Sequence, residues 1–236
     1  MINVKNNKLT GVVVPLGALY TQNNNSIGEF PDLIPFADYC KEAGIKIIQL
    51  LPINDTGTQS SPYSGLSAFA LHPIYIRIQD IEGFETLYKE DKEFHSLYDT
   101  FVKDNKYTLR YNYDNILNTK NALLRSLYDA TECGKSGKAD KELTDWIKNN
   151  PWIKSYAVYK KLKWDYMQSS WKDWKKEDQN KSLEEINAIW EDKKLLKEHL
   201  FYAWTQQIAE KQLSKSVAYL KKNDILLKGD MTILMN

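Results

Sequence analysis

The hydrophobic pattern changes period several times along the chain, and each change marks an element. Gly11-Val12-Val13-Val14-Pro15-Leu16 is a short, continuous β-branched run, the pattern of a strand buried on both faces. The polar stretch Thr21-Gln22-Asn23-Asn24-Asn25-Ser26 reads as a loop, and Ile27-Gly28 leads into a helix over about 31–43. There Leu33, Ile34, Phe36, Ala37 and Cys40 recur at helical spacing, and Gly44 marks the stop. A second apolar run over 45–51 follows at once. Strand, helix and strand with short links make a βαβ unit with parallel strands.

Beyond it, His72-Pro73-Ile74-Tyr75-Ile76-Arg77-Ile78 alternates and reads as a short, half-exposed extended segment. From about residue 80 to 198 glycine becomes scarce, charge rises and lysine-rich helical patterns take over. Tyr113–Ala130 reads as one helix, with Ile116, Leu117, Lys120, Leu123, Leu124 and Leu127 in register. A second runs over 145–167, with Pro151 near its first turns, and a shorter one over 184–190. A long amphipathic helix over 199–222 carries Leu200, Trp204, Ile208, Leu213 and Val217 along one side and ends at Asn223-Asp224. Residues 225–234 then read as a third strand, with Gly229 and Asp230 within or just beyond it. The expected organisation is a first βαβ unit over 1–79, a helical insertion over 80–198, and a helix with the third strand over 199–236.

Three strand candidates of the buried parallel type cannot close a barrel, which needs eight. The chain also stops at Asn236 directly after an apolar strand, with no helix to cover it. The expected fold class is therefore α/β: the amino-terminal part of a (β/α)8 barrel, about three strands, with a helical insertion. In such folds ligand chemistry collects beyond the carboxyl ends of the strands. Ser61-Pro62-Tyr63-Ser64-Gly65-Leu66-Ser67-Ala68-Phe69-Ala70 occupies that position after the second strand. Its hydroxyls and ring, with no lysine or arginine among them, suit a neutral, hydroxyl-rich ligand better than a phosphate.

Composition narrows the field. A formal net charge of +1 over 236 residues leaves no basic stripe for nucleic acid or an anionic membrane. No apolar run approaches about 18 residues, and Met1-Ile2-Asn3-Val4-Lys5 does not open a signal peptide, so a cytoplasmic protein is expected. Cys40 and Cys133 have no metal-type spacing and read as ordinary reduced side chains. All seven tryptophans fall between Trp146 and Trp204, where they are expected to build the core of the helical block. His95 and His199 have no partner spacing, no metal-ligand cluster is found, and no cofactor is implied. Glu184, Glu185 and Asp173 read as solvated helix surface. His72, beside Pro73, is expected to cap or position the loop. Tyr111 and Tyr113 precede a helix and could line an outer sugar-binding surface.

Four stretches, in order, resemble the amylomaltases, the 4-α-glucanotransferases or disproportionating enzymes of the α-amylase superfamily. Residues 11–19 followed by Ile27-Gly28-Glu29-Phe30 are similar to that family's opening strand and its lead-in to the first helix. Ala43-Gly44 and the 45–52 run, with Gln49, Leu51 and Pro52, are similar to its second strand, although Ile48 stands where tryptophan is usual. Ser61-Pro62-Tyr63 with Ser67-Ala68-Phe69-Ala70 resembles its most distinctive early loop. Lys228-Gly229-Asp230-Met231 resembles its Gly-Asp strand end, with Thr232 where proline is commoner. Trp152-Ile153-Lys154-Ser155-Tyr156-Ala157, Leu162-Lys163 and Gln206-Gln207 to Gln212 give further similarity between them.

The resemblance implies a retaining transfer of α-1,4-glucan segments between maltooligosaccharides, with an aspartate nucleophile and a glutamic acid as acid/base. Those two and a third carboxylate lie on later barrel strands in that family, beyond residue 236, so no catalytic residue is assigned in this chain. The isolated chain is expected to be inactive. What the resemblance places here is substrate binding: Tyr63, stacking on the sugar beside the scissile bond, Ser61 on the same loop, and Asp230, bonding sugar hydroxyls. The competing reading is a non-catalytic α-glucan-binding module.

Overall fold

The computed structural model describes residues 8–106, 108 and 110–235, and of Leu234 and Met235 only the backbone. Met1 to Lys5 and Asn236 lie outside the described residues. Three strands, β1 (Gly11–Val14), β2 (Ile47–Leu50) and β4 (Leu226–Lys228), form one parallel sheet in the order β1-β2-β4. Gly11 pairs with Ile47 and Val14 with Leu50, while Ile47 pairs with Leu226 and Gln49 with Lys228. The middle strand buries Ile48 and Leu50. β3 (Ser64–Gly65) and β5 (Leu234–Met235) form a separate two-residue parallel pair.

Ten α-helices accompany these strands among the described residues. Helix α1 (Leu33–Glu42) makes the crossover from β1 to β2 and buries Leu33, Ala37 and Cys40. The helical block comprises α2 (Phe84–Glu90), α3 (Lys92–Asn105), α4 (Tyr113–Ala130), α5 (Glu132–Ser136), α6 (Lys141–Asn149), α7 (Trp152–Asp165), α8 (Lys176–Gln179) and α9 (Leu183–Trp190). The 27-residue α10 (Leu196–Lys222) leads back to β4 and packs on α1, α4, α5, α6 and α7. At 1.5 Å per residue it is about 40 Å long.

The sequence places the three sheet strands and α1, α4, α9 and α10, does not locate α2, α3, α5 or α8 individually, and differs at five further points. The first strand, expected to be buried on both faces, lies at the edge of the three-stranded sheet, and Val13 is 59% exposed. The single helix expected over 145–167 is two, α6 and α7, broken at Asn150-Pro151. Pro151 lacks the amide that would continue the ladder and sits where a new helix can start. The 72–78 segment is not half-exposed. Its centre is a tight turn over Pro73–Tyr75, and Ile74, Ile76 and Ile78 are all fully buried. The third strand is short, Leu226–Lys228, and Gly229 leaves the ladder. The long helix starts at Leu196, three residues earlier than its pattern predicts, and its last turn reaches Lys222 as expected. Trp174, Trp190 and Trp204 are buried, whereas Trp164 is 68% exposed, so the tryptophans are only partly core. Both cysteines are free and buried.

Side-chain amides hold α10 to the rest. Gln206 accepts from Leu71 N and donates to Leu71 O, both at 2.8 Å, and Gln212 makes the same pair with Arg77 at 2.8 and 2.9 Å. Each glutamine thus pairs with the N–H and C=O of an extended residue as a β-ladder partner would, at half-buried Leu71 and at buried Arg77. Gly28 is fixed by close approach: a Cβ there would lie 2.1 Å from Leu16 O.

Beneath them lies a buried ionic cluster. Lys120 Nζ donates to Glu29 Oε1 at 2.6 Å, Ile74 O at 2.7 Å and Ile76 O at 2.9 Å, so every ammonium proton is used. Arg77 donates to Glu29 Oε2 at 2.8 Å and to Asp32 Oδ1 at 2.5 Å. Removing one partner of such a cluster strands a charge in the core. Lys120→Met is therefore expected to destabilise the protein by about 3–5 kcal/mol, measured by urea unfolding. Lys89→Ala, which removes the exposed pair to Glu85, should leave the midpoint unchanged.

Candidate functional site

The loop after β2 and the chain after β4 meet, because β2 and β4 are neighbours in the sheet and both run in the same direction. Tyr63 Oη donates to Asp230 Oδ2 at 3.0 Å, joining residues 167 positions apart. The acceptor carboxylate raises the Tyr63 pKa, so the hydroxyl keeps its proton. The other Asp230 oxygen accepts from Met231 N at 2.9 Å. Both side chains are half-buried and open to solvent on one side. Ser61 is exposed, and its carbonyl accepts from Ser64 N at 3.2 Å, closing the turn that carries Tyr63. The β3–β5 pairing and the approach of Thr232 to Gly65, where a Cβ would meet the threonine side chain at 2.8 Å, strap the loop to the chain beyond Asp230. The geometry therefore brings Tyr63 and Asp230 together and leaves Ser61 at the rim.

A second carboxylate, Asp55, organises the same loop from beneath. It is buried, and its Oδ2 accepts from Tyr156 Oη at 2.6 Å and Lys160 Nζ at 2.9 Å, both on α7, while Oδ1 accepts from Gly57 N at 2.9 Å. Burial alone would raise its pKa, but the Lys160 ammonium and these hydrogen bonds override that and hold the carboxyl well below the usual carboxylate range. Its backbone adds two bonds, Asp55 N to Ala70 O at 2.8 Å and Leu66 N to Asp55 O at 2.7 Å, which close the loop on itself.

His72 stands 3.8 Å from Asp55 and plays the positioning role expected of it. Burial pushes its pKa down to about 4, against the pull of Asp55, so the ring is neutral at pH 7. Nδ1 accepts from Ile74 N at 3.3 Å, which leaves the proton on Nε2, 2.6 Å from Tyr113 Oη. Tyr113 in turn donates to Gly57 O at 2.9 Å. Tyr113 is thus a strut under the loop rather than part of an outer sugar-binding surface, whereas Tyr111 is exposed. A cavity of about 490 Å³ opens beside Asp55, between α4, α7 and α10.

Sequence reasoning missed Asp55, Tyr156 and Lys160. Asn54-Asp55-Thr56-Gly57 reads as an ordinary turn, and the only signal was that Tyr156 and Lys160 are four apart and share a helix face. Chemically, a half-open tyrosine ring beside a carboxylate suits a ligand with both an apolar face and hydroxyls. Asp55 is buried and committed to three protein donors, so it is not free to act with Asp230 as the second carboxylate that glycosyl transfer needs. Among the described residues no group of three or more His, Cys, Asp or Glu is placed to hold a metal ion, and no helix is long and apolar enough to cross a membrane.

The neutral His72 makes stability depend on pH with a defined sign. Unfolded chains bind a proton at this histidine below the ordinary 6.5, whereas the folded protein does so only below about 4. Stability is therefore unaffected by His72 above pH 6.5 and falls as pH drops from 6.5 to 4, by about 3 kcal/mol at most. His72→Gln, which keeps an acceptor and a donor, should flatten that slope by close to one proton in urea titrations run across the window. Loss of the Asp55 contribution begins only lower, as pH falls below its unfolded pKa.

The same sequence features and fold recur in proteins of known class. The 4-alpha-glucanotransferase family matches residues 14–236. A 4-alpha-glucanotransferase of Chlamydia pneumoniae is 29% identical over 227 residues, covering 96% of this chain and 41% of its own length. One from Clostridium butyricum is 29% identical over 200 residues, covering 84% and 38%. The chain thus spans about two fifths of the length of these relatives. The amylomaltase from Streptococcus agalactiae, solved in complex with acarbose, has the same fold over 95% of this chain and 43% of its own, with a TM-score of 0.72 at 19% identity. On this match the chain belongs to the 4-alpha-glucanotransferase family.

Proposed function

We propose that this chain forms part of a 4-α-glucanotransferase that moves α-1,4-glucan segments between maltooligosaccharides by a retaining double displacement, and that Ser61, Tyr63 and Asp230 bind its substrate. The observation that carries the reading is the 3.0 Å Tyr63–Asp230 hydrogen bond. It joins the two positions that the family resemblance names for sugar binding, at the adjacent carboxyl ends of β2 and β4. A structural relative in complex with acarbose supports an oligosaccharide-type ligand. In this reading the Tyr63 ring covers the apolar face of one glucose unit while Asp230 accepts from its hydroxyls. A charge-assisted bond of that kind can strengthen in the transition state.

Residues 11–79 and 199–235 build the barrel segment and 80–198 the helical insertion that supports its loops. The nucleophile and the acid/base belong to strands beyond residue 236, and a cytoplasmic location accompanies the activity.

The test is glucose release and chain lengthening from maltotriose, followed by chromatography. A protein that carries this chain together with the remaining strands should disproportionate maltotriose, and the 236-residue chain alone should not. In the active protein Asp230→Asn should lower kcat/KM roughly 10- to 100-fold, the equivalent of one charged hydrogen bond. Tyr63→Ala should fall in the same range and Tyr63→Phe much less, since the ring remains. Wild-type rates in both Asp230→Asn and Tyr63→Ala would refute the assignment.

A further inference from the structure

Three side chains of α7 meet the loop that carries Tyr63. Trp152, Tyr156 and Lys160 recur every four residues, which sets them one above another on a single face of the helix. They also touch each other. The Trp152 and Tyr156 rings meet edge to face at 6.1 Å, and the Lys160 ammonium lies 6.0 Å from the centre of the Tyr156 ring. Ile153, Ala157 and Val158, elsewhere on α7, are buried, and the helix packs on α9 and α10. The row therefore stands on a fixed support.

This row reaches both ends of the loop. At the start, Tyr156 Oη and Lys160 Nζ donate to Asp55 Oδ2 at 2.6 and 2.9 Å. At the end, the Trp152 ring stacks on Phe69 at 5.9 Å, with 19° between the planes, and Phe69 is otherwise open to solvent at 67% exposed. The two ends are themselves joined: Asp55 N donates to Ala70 O at 2.8 Å, and Asn54 and Leu71 form an antiparallel bridge just outside. Leu66 N returns to Asp55 O at 2.7 Å, and Gly57 N to Asp55 Oδ1 at 2.9 Å. Between these fixed points the chain projects over 58–65, and Tyr63 meets Asp230 from that projection. One hydrogen bond at the tip constrains such a segment weakly, whereas two anchors at its base decide where the tip can go.

We propose that Trp152, Tyr156 and Lys160 are positioning residues for sugar binding: by gripping Asp55 and Phe69 they hold the loop where Tyr63 meets Asp230. The inference rests on the glucan reading above only for what the loop binds. Lys160 acts through its charge, because Asp55 is 1% exposed and an enclosed carboxylate needs a cation beside it. Trp152 acts through its ring. The helical insertion thus acts on the substrate by way of the loop.

Amide exchange in the 236-residue chain reads the grip directly. Lys160→Met should speed exchange at Gly57 and Leu66 roughly tenfold and leave the β2 amides as they are. Lys160→Arg, which keeps the charge, should stay close to wild type. If Lys160→Met does not fold, Tyr156→Phe, which removes one donor and keeps the ring, decides on the same amides. Wild-type exchange at Gly57 and Leu66 in the deciding variant, or an equal speeding in β2, overturns the proposal.

A kinetic cycle reads the consequence. In the protein that carries this chain with the remaining strands, the variant that speeds exchange should lower kcat/KM on maltotriose roughly tenfold. With Tyr63 already replaced by alanine, the same change should cost less than about twofold. Equal losses in the two backgrounds overturn the positioning role. Wild-type kcat/KM in Tyr63→Ala, with exchange at Gly57 and Leu66 still faster in the α7 variant, leaves the grip on the loop standing and refutes the glucan reading.

Discussion

The ammonium of Lys120 is the point on which the architecture turns. It comes from α4, deep in the helical block, and ends against Glu29, at the lead-in to the crossover helix of the βαβ unit. Its remaining protons reach Ile74 O and Ile76 O, so one side chain positions three segments remote in sequence. Burial makes the interaction exacting. Two cations, Lys120 and Arg77, face two carboxylates, Glu29 and Asp32, with no net charge left in the core. Such a cluster adds little net stability over a well-packed apolar one, but an arrangement lacking one member is heavily penalised. It therefore selects the one docking of block on barrel in which all four groups meet. The Gln206 and Gln212 amides impose the same demand on the backbone of the 71–77 segment.

Within that frame, two aspartates on the same face acquire opposite roles from their surroundings. Asp55 is enclosed and receives donors from Tyr156, Lys160 and Gly57. Its charge is consumed in holding the loop. Asp230 has one donor from its own chain and one from Tyr63, and remains half-open. A carboxylate can recruit a ligand hydroxyl only where protein donors have not already claimed its lone pairs. By that criterion Asp230 is available and Asp55 is not.

The parts legible in sequence are those in which one short segment decides the outcome. The β-branched run at Gly11–Val14 and the apolar run at Ile47–Leu50 become the parallel strands their patterns predict, although only the central strand is covered deeply enough to bury Ile48 and Leu50. The helical stripe of α4 is read correctly down to the inclusion of Lys120, although its spacing alone says nothing about a buried charge. Tyr63 and Asp230 were identifiable as strand-end residues. What failed depended on partners elsewhere. The burial of Ile74, Ile76 and Ile78 follows from α4 and α10 closing over them, whereas alternation alone suggested an open face. The split at Asn150-Pro151 was visible as a proline, but a proline in a first turn and a proline between two helices look alike until the second helix is placed. Asp55 looked like a turn residue, because its partners lie about a hundred positions away.

The distance in sequence between Tyr63 and Asp230 also explains why the site can tolerate so large an intervening block. Closing a loop of 167 residues carries an entropic cost that grows only logarithmically with length. That cost is met by the β2–β4 ladder and the α10 packing, not by the hydrogen bond at the site. Once Ile47 pairs with Leu226, the ends of the two strands are neighbours whatever lies between them. The tyrosine and the carboxylate then need only local turns to meet: Ser61 to Ser64 on one side, Gly229-Asp230-Met231 on the other. The helical block is consequently free to supply something besides connection. Its contribution to the site is the pair of α7 side chains, Tyr156 and Lys160, that hold Asp55 and with it the loop that carries Tyr63.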